Sequence, residues 1–500
     1  MMGFENLISG LYAAMVPMNL LYLFIGVLVG NFVGVLPGLG PVTGVALLIP
    51  FTFGMEPTSA LILLAAIYYG AMYGNSISAV LLNIPGTPAS VMTALEGYPL
   101  AKQGRAGPAL AICALASFVA GTVSAAGLAL LMPPLAEFAL RFGAPEQFAL
   151  LVGAFTLVAS LSGSFIKGMA MMLLGVALAT IGPEPLVAAS RMTFGSPVLE
   201  LGINFVAASI GLFALPSAIE GVERPAKFVF RQTSLKLRAL LPTCKDIKES
   251  LPALPMGSII GFFSSVMPGI GPTEATLLSY SVQKQISRHP EKFGKGSMEG
   301  IAAVEASNNA SSVGGLIPML SFGIPSSATT AVLMGAMLVH GLQPGPMLMV
   351  TQSEIVFAVI ASMYLGNLML LVLNLPLIGI WVSCLKLPPQ YILCGVVILS
   401  ATGVYAAANS LNAVIIMFGF GVLGYILNKL DFPVAPIILA LILTGPIEAA
   451  LGRSLSLSGG DWSIFFTRPI SLTFLCIAAA SLLLQLPWRR WLGERKPSGR

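Results

Sequence analysis

The sequence contains few charged residues and lacks the motifs that mark common catalytic centres. Asp, Glu, Lys and Arg make up 9% of its 500 residues, whereas a soluble protein carries about 25%. It has two histidines, and its five cysteines form no C-x-x-C pair. Neither H-E-x-x-H nor G-x-x-x-x-G-K-[ST] occurs. These absences argue against a soluble protein, a Cys/His metal centre and an ATP-hydrolysing pump, and they favour a chain that is not an enzyme.

Apolar residues make up most of the chain instead. The hydrophobic fraction is 56%, the mean hydropathy is +0.90, and runs such as 110–131 are apolar on every side. Such runs predict helices that cross a lipid bilayer, because membrane strands would alternate with polar residues. The net charge of +5 fits basic cytoplasmic loops better than a nucleic-acid surface, because the basic stretches lack interleaved aromatic residues.

Two of the apolar runs are interrupted in the middle by proline and glycine. Residues 37–41 (PGLGP) interrupt the run 20–53, and residues 268–272 (PGIGP) interrupt the run 254–283. Proline lacks the amide hydrogen that a helix needs, and glycine lowers helix stability. Inside a bilayer, the freed backbone groups must be satisfied by protein or by a water-filled cavity. Paired interruptions in matching places of two halves indicate a transporter binding site.

A second pair of blocks indicates that the second half repeats the first. Residues 73–86 align with 313–326, and each block runs into an irregular stretch, 83–88 (NIPGTP) or 323–327 (GIPSS). The alignments pair Gly26 with Gly257, Gly30 with Gly261, Gly74 with Gly314, and Ile84-Pro85 with Ile324-Pro325. Two blocks in the same order favour an internal repeat over chance matching of glycine and proline.

Loop charge gives the relative orientation of the two repeats. In the first half, Lys102 and Arg105 follow the second block, whereas the turn after the first block, 54–57, has neither Lys nor Arg. In the second half the basic loop, 284–295, follows the first block, and 340–346 has no Lys or Arg. By the positive-inside rule, the two repeats are inverted relative to each other.

The sequence therefore predicts an all-α polytopic membrane protein, an inverted-repeat transporter with about 12 membrane segments. The run 254–283 lies between two inside loops and is too short for two full helices, so we expect a re-entrant hairpin there. The broken run 20–53 would be its counterpart from the outside. The expected division is a first membrane repeat (1–222), a basic cytoplasmic loop (223–250), a second membrane repeat (251–487) and a basic cytoplasmic tail (488–500).

A helix that restarts after each interruption offers unpaired backbone amides and a partial positive charge. Such an end attracts carboxylates or phosphates without a buried Lys or Arg. For the Ser and Thr residues nearby, helix capping or packing is the alternative role, and for the paired asparagines it is an interhelical hydrogen bond. The candidate substrate-binding residues are Gly38, Gly40, Thr43, Asn83, Gly86, Thr87, Gly269, Gly271, Thr273, Asn308, Asn309, Ser326 and Ser327.

Further candidates concern a coupling cation. Oxygen atoms near Asn83 and Asn309 are candidate sodium ligands, because sodium is a hard cation that prefers oxygen. Glu274 and Glu305 are carboxylates in apolar surroundings and candidate proton carriers, with an interfacial position as the alternative. We predict no cofactor beyond a coupling Na⁺ or H⁺.

The sequence also resembles a known family over nearly its whole length. The stretches GVLPGLGP (34–41), YGAMYG (69–74), NIPGTP (83–88) with GYP (97–99), and EGIAAVEASNNA (299–310) resemble the large membrane subunit of the tripartite tricarboxylate transporters. Three residues depart from the family pattern: Asn75 replaces a glycine, Ser326 replaces the usual Pro-Gly, and Glu274 replaces a small or apolar residue. These departures leave the substrate and the coupling ion open.

The resemblance implies a multi-pass secondary transporter of the bacterial inner membrane. Its substrates would be citrate-like tri- or dicarboxylates, imported by symport with sodium or protons. It would work with two partners, a small integral-membrane subunit and a periplasmic solute-binding protein that delivers the substrate.

Two other classes of protein stay open. A gated anion channel for small carboxylates would pass its substrate without an ion gradient or the binding protein. An intramembrane enzyme would need a cluster of His, Asp or Glu near one membrane interface, which the sequence does not offer.

Overall fold

The structure, a computed structural model, describes residues 2–36, 38–161, 164–187, 189–223, 241–385 and 387–485. Pro37, most of the predicted basic loop and the predicted basic tail lie outside these residues. The first half contains α1 (Met2–Ala14), α2 (Pro17–Val35), α3 (Gly40–Leu48), α4 (Pro57–Leu82), α5 (Val91–Lys102), α6 (Ala106–Ala139), α7 (Ala144–Leu161), α8 (Phe165–Ala179) and α9 (Phe205–Glu223). A small antiparallel hairpin, β1 (Gly182–Pro183) and β2 (Ser190–Arg191), precedes α9.

The second half is also helical. It contains α10 (Cys244–Ser250), α11 (Ala253–Ser265), α12 (Pro272–Ile286), α13 (Met298–Gly314), α14 (Leu316–Phe322), α15 (Ala328–Val339), α16 (Pro346–Thr351), α17 (Ser353–Asn374), α18 (Ile378–Cys384), α19 (Pro389–Ala408), α20 (Leu411–Lys429), α21 (Ala435–Leu457), α22 (Ile464–Thr467) and α23 (Pro469–Gln485). Short 3₁₀ turns cover Ile49–Thr52, Pro88–Ser90, Pro197–Leu199 and Pro290–Lys292.

Long apolar helices confirm a polytopic helical membrane protein. Within the described ranges, eight helices are long and apolar enough to cross a membrane: α2, α4, α6, α9, α17, α19, α20 and α21. Shorter apolar helices include α3 and α15, which restart after interruptions of the chain. The total of about 12 segments, the re-entrant hairpins and the division into four regions stay predictions.

The paired interruptions share a left-handed residue at two matched positions, whereas Gly40 (φ +53°) and its partner Gly271 (φ −93°) differ. Gly38 and Gly269 have φ values of +89° and +86°, a left-handed region that glycine enters without a steric cost. Asn83 ends α4 with φ +57°, and Gly323 ends α14 with φ +70°. Asparagine tolerates this region better than most residues, so it can replace glycine there. Each pair of residues stands at positions that the sequence alignment matches.

Helix packing follows the same correspondence. Gly26 and Gly30 on α2 lie against the backbone oxygens of Leu63 and Ile67 on α4. Gly257 and Gly261 on α11 lie in the same way against Ala303 and Ser307 on α13. The alignment that pairs Gly74 with Gly314 also pairs Leu63 with Ala303 and Ile67 with Ser307. Small residues allow membrane helices to approach closely, so the matched glycines produce the same helix packing in each half.

Loops that the positive-inside rule assigns to one side contact one another. Arg105 forms an ion pair with Asp246, and both residues belong to stretches predicted to be inside. Thr52 and His340 form a hydrogen bond of 2.8 Å; His340 belongs to a stretch predicted to be outside, and Thr52 lies two residues before the other such stretch, 54–57. These contacts agree with the assigned grouping of loops, and the inverted orientation stays a prediction.

A buried carboxylate joins the two halves on the side of the basic loops. Glu96 on α5 has no exposed surface, and its oxygens accept four hydrogen bonds. Three come from the backbone amides of Gly294 (2.5 Å), Gly296 (3.0 Å) and Ser297 (2.7 Å), and one comes from the Tyr280 hydroxyl (2.6 Å). Hydrogen bonds to a carboxylate are among the stronger ones in proteins, so this contact fixes α5 to the residues just before α13.

We expect cysteines at positions 56 and 292 to be labelled from opposite sides of the membrane. Glu56 and Lys292 are exposed and lie in loops that the charge pattern assigns to the outside and the inside. Glu56→Cys and Lys292→Cys would be made in a background without the five native cysteines and treated with a membrane-impermeant maleimide. Restored Cys244, which is exposed in the inside group, provides the control. Labelling of both positions from one side would contradict the inversion.

Candidate functional site

The four irregular stretches meet around one cavity of about 480 Å³. Its lining includes residues within 38–43 and 86–89 from the first half and within 269–274 and 326–329 from the second. The helices α3, α12 and α15 begin at this cavity, as does the 3₁₀ turn that leads into α5. The polar ends of several helices are therefore gathered in the interior of a largely apolar protein.

Most of the predicted site residues lie at this cavity. Those that line it are Gly38, Gly40, Thr43, Gly86, Thr87, Gly269, Gly271, Thr273, Ser326 and Ser327. The two second-half stretches are also bonded directly, since the Gly269 amide donates to the Ser326 carbonyl (3.2 Å). Residues from both repeats thus form one continuous surface.

The three predicted asparagines lie elsewhere. Asn83 is exposed, and its left-handed conformation ends α4. Asn308 and Asn309 are buried within α13, where Asn309 donates to the Ser117 hydroxyl on α6 (2.6 Å). Asn308 donates a long hydrogen bond to the Met72 carbonyl on α4 (3.5 Å). The alternative of an interhelical hydrogen bond therefore describes this pair, and a sodium site shared by Asn83 and Asn309 gains no support.

Helix capping accounts for two of the hydroxyl residues at the cavity. The Thr87 amide donates to the Ser90 hydroxyl (3.3 Å), and the Ser327 amide donates to the Thr330 hydroxyl (2.8 Å). The two caps stand at positions that the repeat alignment pairs, which extends the correspondence into the site. Thr87 and Ser327 hence combine a capping role with a place in the cavity wall.

Two of the departures from the family pattern, Asn75 and Ser326, lie in equivalent contacts of the two halves. Asn75 lies against Gly86 in the first half, and in the second half the paired positions are Gly315 and Ser326. The Asn75 amide donates to the Thr87 hydroxyl (3.0 Å), whereas the Ser326 hydroxyl donates to the Gly315 carbonyl (3.1 Å). Each half thus places a polar side chain against a glycine. In the first half the polar residue is Asn75 and the glycine is Gly86. In the second half the glycine is Gly315 and the polar residue is Ser326.

Glu274 is the only charged side chain among the described residues that line the cavity. Its carboxylate accepts a hydrogen bond from the amide of Gly271 (2.9 Å), the N-cap residue of α12. Lys and Arg are absent from this lining, so attraction of an anion to the cavity would depend on backbone amides and helix dipoles. Sequence reasoning noticed Glu274 but did not place it in the site; its position three residues after Gly271 was the available signal.

A second cavity of about 400 Å³ follows the first along the same two helices. Ala328 on α15 and Leu439 on α21 line the first cavity, whereas Leu338 and Pro446 line the second, further along each helix. The second cavity also contains Arg453. Two cavities therefore lie one after the other along the interface between α15 and α21.

Comparisons with known proteins agree with these features. The model of the tripartite tricarboxylate transporter TctA family matches residues 20–439. An uncharacterized 52.8 kDa protein in the TAR-I ttuC' 3' region of Agrobacterium vitis is 39% identical over 484 residues, which is 96% of each chain. An uncharacterized protein in the TAR-II ttuC' 3' region of the same organism is 37% identical over 230 residues, 46% of this chain and 93% of that protein. No solved structure matches the chain.

Proposed function

The chain belongs to the tripartite tricarboxylate transporter TctA family, and from this membership we propose that it imports citrate-like tri- or dicarboxylates across the bacterial inner membrane. It would act as the large permease subunit of a secondary transporter, driven by a sodium or proton gradient. A small integral-membrane subunit and a periplasmic solute-binding protein that delivers the substrate are the proposed partners.

The observation that carries this proposal is the meeting of four chain interruptions at one cavity. Side chains cap the Gly271 amide at α12 and the Ser327 and Thr330 amides at α15. The other amides in the first turns of α3, α12 and α15 have no backbone acceptor within their own helices, and each helix dipole adds partial positive charge. Each helix start contributes about 0.3–1 kcal/mol toward an anion at the surface, and up to ~2 kcal/mol when partly buried. Several such ends together can stabilise a substrate with two or three carboxylates without a buried cationic side chain.

Alternating access is the proposed mechanism. The first cavity would hold the substrate, and the second, with Arg453, would form part of its route along α15 and α21. Movement of one group of helices against the other would then expose the substrate to each side in turn.

Thr273→Val tests the proposed substrate site. Thr273 lines the cavity in the first turn of α12, and valine keeps its shape while it removes the hydroxyl. Loss of a hydrogen bond to a charged substrate, about 1.5–3 kcal/mol, should raise KM at least ~10-fold. The measurement is uptake of labelled carboxylates by cells that produce the chain with its two partner subunits.

Thr444→Val is the matched control. Its hydroxyl donates only within α21, to the Ala440 carbonyl (2.7 Å), so uptake should be unchanged. Equal KM values for both variants would remove Thr273 from the substrate site. Carboxylate efflux that needs neither an ion gradient nor the binding protein would instead identify a gated channel.

A further inference from the structure

Glu305 on α13 is completely buried and surrounded by hydroxyl groups. Its carboxylate accepts hydrogen bonds from Thr93 (2.5 Å), Ser76 (2.7 Å) and Ser117 (3.3 Å). These three residues lie on α5, α4 and α6, so four helices from both halves of the chain meet at this point.

No side-chain cation balances this carboxylate in the described part of the chain. The ion pairs there are Arg105–Asp246, Arg191–Glu448, His289–Glu291, Lys292–Glu249, Lys429–Glu223 and Arg468–Glu146. A buried charge without a partner is very unfavourable, so buried carboxylates are paired, bind cations or become neutral. The charge of Glu305 must therefore be balanced by a cation from outside the polypeptide or removed by a proton.

The chemistry around Glu305 suits a small hard cation. One carboxylate and three hydroxyls present only oxygen ligands, which sodium prefers to nitrogen or sulfur. A small cavity lies beside two of these hydroxyls; Ser76 and Ser117 line it together with mainly apolar residues, and the Glu305 carboxylate lies behind them. Its volume of about 10 Å³ is close to that of one water-sized sphere.

We propose that Glu305, Ser76, Thr93 and Ser117 form the binding site of the sodium ion that drives transport. The assignment of a driving role rests on the proposed function, whereas the existence of the ion site does not. The site differs from the predicted sodium ligands, because Asn83 lies outside it and Asn309 bonds the Ser117 hydroxyl and the Glu305 backbone carbonyl rather than the carboxylate.

A short chain of hydrogen bonds connects this ion site to the substrate cavity. The Ser76 hydroxyl, which contacts Glu305, also lies 3.4 Å from the Asn75 side-chain oxygen. The amide of the same Asn75 side chain donates to the Thr87 hydroxyl, and Thr87 lines the cavity. An ion that reorients Ser76 would thereby change the cavity wall, and by linkage substrate would increase ion affinity by the same factor.

The duplicated scaffold has only one copy of this ion site. The positions that the repeat alignment pairs with Glu305 and Ser76 hold Ala65 and Leu316, which offer no oxygen ligand. One site at Glu305 therefore supplies one sodium ion for each cavity.

Sodium-dependent stability is the first test, because it does not require transport. Purified wild-type protein should unfold at a higher temperature in sodium chloride than in choline chloride, because a ligand that binds only the folded state stabilises it. Glu305→Gln should lose this shift, and Thr93→Val should need at least ~10-fold more sodium to reach half of it. Glu354→Gln on an exposed part of α17 and Thr444→Val should behave as wild type.

Transport in proteoliposomes is the second test. Glu305→Gln should abolish sodium-driven accumulation and keep carboxylate counterflow, because exchange at equal sodium needs no net ion movement. A sodium-dependent shift that survives in both Glu305→Gln and Thr93→Val would overturn the site. Wild-type accumulation driven by a pH gradient without sodium would overturn the choice of ion. A shift that Glu305→Gln removes in a protein without carboxylate transport would support the ion site and reject the proposed function.

Discussion

Ala328→Phe should reach the membrane in normal amounts and take up almost no carboxylate. Ala328 is the first residue of α15, is half-buried and lines the substrate cavity between the two halves. A phenyl ring at this position would fill the space in front of the helix start, where the proposed substrate carboxylates bind. The first helical position has ordinary helical geometry, so the larger residue imposes no backbone strain. Uptake of labelled substrate, with protein amount measured in the same membranes, gives the result.

Ala406→Phe is the matched control for this prediction. Ala406 is exposed on α19, so a larger side chain there would face the surroundings of the protein. It should leave uptake and yield unchanged. Normal uptake by the Ala328→Phe protein would show that substrate does not pass through this cavity, whereas a loss of folded protein would appear as aggregation on size-exclusion chromatography.

Glu274→Gln should shift the substrate preference toward tricarboxylates. The Glu274 carboxylate already accepts the Gly271 amide and so occupies one anion position at the start of α12. It also repels the substrate: two like charges ~6 Å apart at an effective dielectric constant of about 20 cost roughly 3 kcal/mol. A substrate with three carboxylates is repelled more strongly by this charge than a substrate with two. Removal of the charge should therefore lower KM for a tricarboxylate by up to ~100-fold and for a dicarboxylate by less.

The ratio of kcat/KM for tri- and dicarboxylates is the quantity to measure. Glu354→Gln, which removes a charge from an exposed position outside the cavity, should leave the ratio unchanged. Complete loss of transport of both substrates by the Glu274→Gln protein would contradict the prediction and would give Glu274 an obligatory role in the transport cycle.

The interruptions and their pairing were accessible from the sequence because their causes are local. Proline removes an amide hydrogen and glycine permits left-handed backbone, so PGLGP and PGIGP break their helices wherever they occur. Gly26 and Gly257 were likewise paired by sequence alone, and they make the same packing contact. Loop charges grouped Arg105 with the stretch around Asp246, and the two side chains form an ion pair.

Residues brought together only by tertiary packing could not be predicted. Phe213 and Ser217 on α9 and the first turn of α21 line the cavity, but their sequences read as ordinary apolar helix. Ser76 and Thr93 give no sequence signal of contact with Glu305, because neither of their helices has a distinct polar face. Asn83 was assigned to the site from its place in an interruption, yet its left-handed conformation ends α4 and leaves it exposed.

Glu96 is a buried carboxylate of the protein itself, and its surroundings resemble those that a bound carboxylate substrate would need. Backbone amides and a tyrosine hydroxyl hold that carboxylate in a buried position, and all of these partners are neutral dipoles. The protein therefore holds the Glu96 carboxylate with the same neutral hydrogen-bond donors that, in the central cavity, would bind a carboxylate substrate reversibly.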